Sequence, residues 1–269
     1  YKIDKKQNGK GDLAFLEAVF QKLLMNFTWW VNREDEAGHN IFTGGFLGLD
    51  NISVFNRSGD IPAGGTLFQS DATSWMGMYC LNMLTIALEL AETNSVYEDL
   101  ASKFYEHFIH ISKAVNLQTD GSSVSLWNEE DGFFYDTLLM KDGTKHPLKV
   151  HSLVGLMPML SIETIKEETI NKLPGFKKRM DWFIEHRPEI VGKIASMMRT
   201  GENKRRLLAL LPPNKLQKLL QVMLAEDEFL SPHGIRSLSK RHGDKPFVLE
   251  VEGKTFRVEY EPGESTNRL

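Results

Sequence analysis

Residues 70–92 read SDATSWMGMYCLNMLTIALELAE. Trp75, Met76, Met78, Tyr79, Leu81, Met83, Leu84, Ile86, Leu88 and Leu90 cover nearly the whole circumference of a helix drawn on this stretch. The polar positions shrink to a stripe at Asn82, Thr85 and Glu89. A helix that is apolar almost all round is buried on most sides. Ser70 or Asp71 stands where an N-cap belongs. The next helix, over 95–117, has the opposite character. Val96, Leu100, Phe104, Phe108, Ile111 and Val115 make one stripe, and Glu98, Lys103, Glu106, His110 and Lys113 lie elsewhere. A buried helix followed closely by a half-exposed one predicts two concentric layers of helices. That is an all-α architecture, either an α/α toroid or a bundle around a central helix.

Outward from this pair, 12–31 predicts an amphipathic helix on Leu16, Val19, Phe20, Leu23, Leu24, Phe27 and Trp30. Residues 33–70 carry too many glycines for a helix, yet hold Phe42, Val54, Phe55 and other large apolar residues. A long glycine-rich loop of this kind reads as ordered and buried rather than disordered. Residues 118–146 predict loop and short strands, 148–160 a second inner helix, and 161–228 short charged helices broken by prolines. The last segment reads as a helical insertion within one domain spanning 1–269. After a loop at 229–246, residues 247–251 and 255–260 flank Glu252-Gly253-Lys254 as a β-hairpin.

Composition narrows the function classes. The 269 residues are 41% apolar and 25% charged, which places the chain among globular proteins. The net charge of −4 gives no electrostatic footprint for nucleic acid. No apolar run reaches the roughly 18 residues that a membrane span needs. Cys80 stands alone, so no internal disulfide forms. No signal-peptide pattern is present, and the expected compartment is the cytoplasm. Phosphate-binding loops, dinucleotide fingerprints and nucleophile elbows are absent from the sequence, and no cofactor is expected. His107 and His110 have a spacing that suits a metal but lack further ligands, so no metal is expected either.

Four constellations carry chemistry. In GGFLGLDNISVFNRS (44–58), Asp50 sits among glycines and large apolar residues. Apolar surroundings raise a carboxyl pKa, as a general acid requires. The plainer alternative is a turn Asp bonded to backbone amides. In FQSDATSW (68–75), Asp71 is first a helix cap. Gln69, Asp71 and Trp75 could also meet a polyhydroxylated ligand at the helix start. In LWNEEDGFFYD (126–136), four acids and four aromatics fall within ten residues, a set that suits sugar hydroxyls and ring faces, with Trp127, Asp131 and Phe134 foremost. The same stretch also fits a tight turn at Asp131-Gly132 between two short strands with core aromatics. In FLSPHGIRSLS (229–239), Arg236 is an anchoring donor, for a ligand or for neighbouring loops.

Taken in order, these four segments followed by YEPGES (260–265) resemble the bacterial branch of glycoside hydrolase family 63, proteins related to mannosyl-oligosaccharide glucosidase and to mannosylglycerate hydrolase. The resemblance covers most of residues 12–265. It implies an (α/α)6 toroid of the six-hairpin glycosidase type and inverting hydrolysis of α-linked glucosides or related sugars. It further implies that Asp50 is the general acid, and that Gln69, Asp71, Trp75, Trp127, Asp131, Phe134 and Arg236 contact or line the sugar site. The expected partner is a carbohydrate, with no nucleic acid and no membrane. The family's general base is a Glu that follows an NWRGP-like segment, and neither is found here. Together with too few strong helices for a closed toroid, this makes the expected object a piece of a longer enzyme, inactive alone. The alternative function is a non-catalytic carbohydrate-binding or interaction module. A sugar epimerase or lyase is a third class, one that needs a His or Tyr base in the pocket.

Overall fold

In the computed structural model, Ser70–Ala91 is one continuous helix (α3), and Val96–Asn116 is the next (α4). The structure describes residues 1–34, 38, 40–43, 53–54, 57, 61, 64–116, 124–188 and 200–262. Met76, Cys80, Met83, Leu84 and Ala87 of α3 have no exposed surface, while Asn82 is exposed on the polar stripe. Lys2–Asn8 forms α1 and Leu13–Val31 forms α2. The Asp12 side chain caps α2 by accepting the Phe15 amide at 2.9 Å.

The expectation of an all-α toroid is overturned. The described residues are a mixture of helices and antiparallel strands. Thr66–Phe68 (β1), Asp136–Leu139 (β4) and Lys145–Leu148 (β5) form a three-stranded sheet in the order β1-β4-β5. Trp127–Asn128 (β2) pairs with Phe133–Phe134 (β3), and Ile162–Lys166 (β6) pairs with Arg205–Ala209 (β7). Leu230–Ser231 (β8) pairs with Gly234–Ile235 (β9), and Phe247–Val251 (β10) pairs with Lys254–Val258 (β11). The expected inner helix at 148–160 is instead the end of β5 followed by a 3-10 turn over Leu153–Leu160 that contains Pro158. The expected helical insertion holds α5 (Glu167–Lys172), α6 (Pro174–His186) and α7 (Pro213–Met223), but also β6 and β7. Short α8 (Arg241–Asp244) follows β9.

The chain divides into two units. The first comprises 1–33, 76–113 and 161–210. Its core is aromatic and edge-on: Phe20 meets Tyr97 at 5.5 Å and Phe104 at 6.0 Å, and Phe27 meets Phe104 at 5.1 Å. Edge-to-face geometry places ring hydrogens against a negative ring face, which stabilises each pair beyond its buried area. Tyr105 likewise packs on Phe176 and Phe183 of α6.

The second unit comprises 34–75, 114–160 and 211–269, and it contains all four constellations. Val54, Leu67, Leu138, Leu148, Val150, Leu249, Val251 and Val258 form one buried cluster. The β10-β11 turn has positive φ at Glu252 (48°) and Gly253 (73°), the tight hairpin geometry that glycine adopts most readily. Gly155 is fixed for a different reason. A Cβ there would overlap the Phe133 ring and the Phe134 carbonyl oxygen, so only glycine allows the 3-10 turn to reach β3.

Candidate functional site

Asp50 lies outside the described residues. Of the residues that follow it in the same motif, Val54 is buried in the sheet cluster and Arg57 is buried. Arg57 Nη1 and Nη2 donate to the two carboxylate oxygens of Asp71 at 2.8 and 2.7 Å. Nη1 also donates to Asp136 Oδ2 at 2.9 Å. These side chains are 0% exposed for Arg57 and Asp71 and 4% for Asp136. The planar fork of a guanidinium suits this bidentate grip as a lysine cannot. Burial alone would lower the Arg57 pKa, but the Asp136 and Asp71 carboxylates raise it above the ordinary value. Asp136 is held above the usual carboxylate range by burial and by the Asp71 charge, against the pull of Arg57.

The same two acids finish the start of α3. Asp136 Oδ1 accepts the Ser70 amide at 2.8 Å, and Asp71 Oδ1 accepts the Ala72 amide at 2.8 Å. Helix amides with no partner in the preceding turn are thereby satisfied. One buried cation thus joins three of the sequence motifs: Arg57 from the glycine-rich loop, Asp71 from the helix start and Asp136 from the end of LWNEEDGFFYD.

Gln69 is buried, and its carbonyl accepts Thr73 Oγ1 at 2.7 Å. Trp75 is half-buried. Trp127 and Phe134 are buried against each other, ring centroids 4.7 Å apart. The Lys215 ammonium lies 5.1 Å from the Trp127 ring and 5.8 Å from Phe134, an additional cation–π contact. Asp131 and Gly132 make the tight turn between β2 and β3, with φ +61° at Gly132. Arg236 ties loops together: Nη1 donates to the carbonyls of Glu226 and Glu228 at 3.2 Å and to that of Leu230, and Nε donates to the Tyr260 hydroxyl at 3.2 Å.

A second polar network joins the third motif to the fourth. Asp131 Oδ2 takes the Lys149 ammonium at 2.9 Å and the Tyr135 hydroxyl at 3.0 Å. Tyr135 Oη is 2.6 Å from His151 Nε2, and His151 Nδ1 is 3.2 Å from Glu228 Oε2. Ser239 Oγ and Arg241 also bind Glu228. Burial would raise the Glu228 pKa, but the His151 and Ser239 contacts outweigh it and leave the carboxyl below its ordinary range. Asp131 is likewise lowered, because Lys149 and Tyr135 overcome its partial burial.

The whole chain aligns with one protein of baker's yeast. The relative is named "Uncharacterized protein YMR196W", from Saccharomyces cerevisiae, and is 51% identical over 280 aligned residues. The alignment covers 100% of this chain and 26% of the relative, so the chain spans about a quarter of that protein. No protein-family model matches the chain.

Spacing alone does not mark Arg57, Tyr135, Asp136, His151 or Glu228. Arg57, Tyr135 and Asp136 lie inside motifs whose other acids and aromatics are the more conspicuous. His151 follows the strand pattern Leu148, Lys149, Val150 and reads as part of an apolar segment. Glu228 precedes Phe229 with nothing local to mark it; only the tertiary fold brings it to His151. Among the described residues, no three His, Cys, Asp or Glu side chains gather as metal ligands. No described helix is long and apolar enough to cross a membrane. Cys80 is fully buried, and burial pushes its thiol pKa up, which suppresses thiolate reactivity.

Proposed function

We propose that the chain belongs to the catalytic region of an inverting α-glycosidase acting on α-linked glucosides or related sugars, with Asp50 as general acid. The reading rests on the order of its motifs, which resembles the bacterial branch of glycoside hydrolase family 63. The observation that carries it is the Arg57 fork. A general acid must meet the glycosidic oxygen at a fixed place. Two residues that follow Asp50 in its motif are fixed, Arg57 by Asp71 and Asp136 and Val54 by the sheet cluster. In this reading Asp71 and Asp136 serve the sugar indirectly, by holding Arg57, because both are buried and engaged by Arg57 and helix amides. Asp131 is the better candidate for direct sugar contact, since its side chain is 22% exposed.

An inverting reaction also needs a carboxylate that activates water on the far side of the ring. No acid of this chain is assigned to that role. The same reading places the protein in the cytoplasm with a carbohydrate as its partner. The test is hydrolysis of α-glucosides by the full-length protein, compared with Asp50→Asn. Turnover by the parent and its loss in the variant support the reading. Binding without turnover by the parent favours the non-catalytic carbohydrate-binding alternative.

A further inference from the structure

Asp131 has one saturated oxygen and one open one. Oδ2 is taken by Lys149 and Tyr135, while Oδ1 accepts no hydrogen bond among the described residues. The turn itself is fixed, because the Asp131 amide donates to Asn128 Oδ1 at 2.8 Å. Behind the carboxylate, a line of buried groups runs from Tyr135 through His151 to Glu228. The His151 ring is stacked on Phe133, with centroids 4.4 Å apart and 10° between planes, and Phe133 in turn meets Phe229 at 5.8 Å. That stacking on one face, with the Glu228 contact at Nδ1, holds the imidazole in line.

We infer that Tyr135, His151 and Glu228 are positioning residues that act through Asp131, holding its open oxygen toward a hydroxyl of a carbohydrate ligand. The inference rests on the carbohydrate reading and names residues which that reading did not include. A carboxylate that spends one oxygen on fixed donors loses less freedom when the other binds a ligand, and this is how preorganisation raises affinity.

The protons follow from the donors present. The 2.6 Å contact between Tyr135 Oη and His151 Nε2 needs a proton between the two atoms. Arg241 Nη1 can only donate, so Nε2 is the accepting nitrogen and the ring proton lies on Nδ1, toward Glu228. The single phenolic proton of Tyr135 lies between His151 Nε2 and Asp131 Oδ2, so the imidazole sets how much of that donor Asp131 receives. The other charged or titratable groups facing His151 are Arg241, whose Nη1 is 3.0 Å from Nε2, and His242, whose Nε2 accepts the His151 amide at 2.8 Å. Lys149 closes the far end on Asp131.

The experiment has two arms, both on the full-length protein. In the first, KM and kcat for an α-glucoside are measured for the parent, Tyr135→Phe, Asp131→Asn and the double variant. Removing the phenolic donor raises KM about tenfold with kcat retained, the scale of one lost charge-assisted hydrogen bond. In the Asp131→Asn background the same change has no further effect. A KM increase of equal factor in both backgrounds overturns the inference, because Tyr135 then acts without Asp131. In the second arm, carbodiimide labelling of Asp131 is followed against pH by peptide mapping. Loss of the Tyr135 donor moves the labelling profile to higher pH. Identical profiles overturn the inference whether or not any glucoside is hydrolysed. A shifted profile without glycoside binding or turnover supports the line of positioning groups and overturns the carbohydrate reading on which its purpose rests.

Discussion

Arg57 holds Asp71 with both of its terminal nitrogens, at 2.8 and 2.7 Å, where neither side chain has any exposed surface. A buried charge survives only with partners, and here a single cation faces two carboxylates. Arg57, seven residues after Asp50, is thereby fastened to the start of α3 and to β4.

Removing the cation strands two buried carboxylates. Arg57→Met destabilises the protein by about 3–5 kcal/mol near neutral pH, read as the shift in urea midpoint. Asp71→Asn costs less, because Arg57 retains Asp136 and the amide oxygen still accepts a hydrogen bond. The deficit of Arg57→Met shrinks in acid, where Asp136, already raised by burial, takes up a proton. Equal losses in the two variants at neutral pH would contradict the anchoring role.

His242 gives the protein an acid limit. Its Nε2 accepts the His151 amide, and its Nδ1 lies 3.2 Å from the Lys245 carbonyl, so the ring is held neutral with its proton on Nδ1. Burial pushes its pKa down to about 4. A depressed histidine stabilises the fold fully above its unfolded pKa near 6.5, and that contribution drains away as pH falls toward 4. The expected loss across that window is about 3 kcal/mol. His242→Gln keeps an acceptor and a donor at the site and flattens the slope of stability against pH between 6.5 and 4. An unchanged slope counts against this assignment.

Gly155 separates a packing need from a conformational one. Its φ is not in the left-handed region, so alanine suits the backbone, but the added methyl overlaps the Phe133 ring and the Phe134 carbonyl. Gly155→Ala therefore destabilises by about 1–3 kcal/mol through overpacking, measured by thermal or urea unfolding. Because Phe133 also stacks on His151, the substitution disturbs the Tyr135–His151 line too. A neutral or stabilising outcome would show that the 3-10 turn can withdraw freely from β3.

The long helices were legible in the sequence because their apolar spacing is unbroken. The pattern over 70–92 became Ser70–Ala91, 95–117 became Val96–Asn116 and 12–31 became Leu13–Val31. The hairpin around Glu252-Gly253 was equally plain, since strand alternation and a turn dipeptide agree. How the parts join is not legible in the same way. Two helices of contrasting burial suggested concentric layers, but β1, β4 and β5 form a sheet whose strands are only three or four residues long. Strands that short leave no periodicity to read. In β6, Glu163 and Lys166 give the segment the charge of a surface helix, and only pairing with β7 reveals a strand. At the site, the tight turn at Asp131-Gly132 was visible, whereas Glu228 meeting His151 is a contact between residues far apart in sequence and depends wholly on tertiary folding.

The central claim is that Asp50 donates the proton in hydrolysis of an α-glycoside. The most direct measurement is steady-state hydrolysis of α-glucosides by the full-length protein and its Asp50→Asn variant, with matched unfolding curves and the anomer of the released sugar recorded by proton NMR. The account predicts that the parent releases the inverted β-anomer. It also predicts that the variant loses at least about 10²-fold in kcat with its stability intact, the scale of general acid catalysis. Undiminished turnover by a folded Asp50→Asn protein would contradict it.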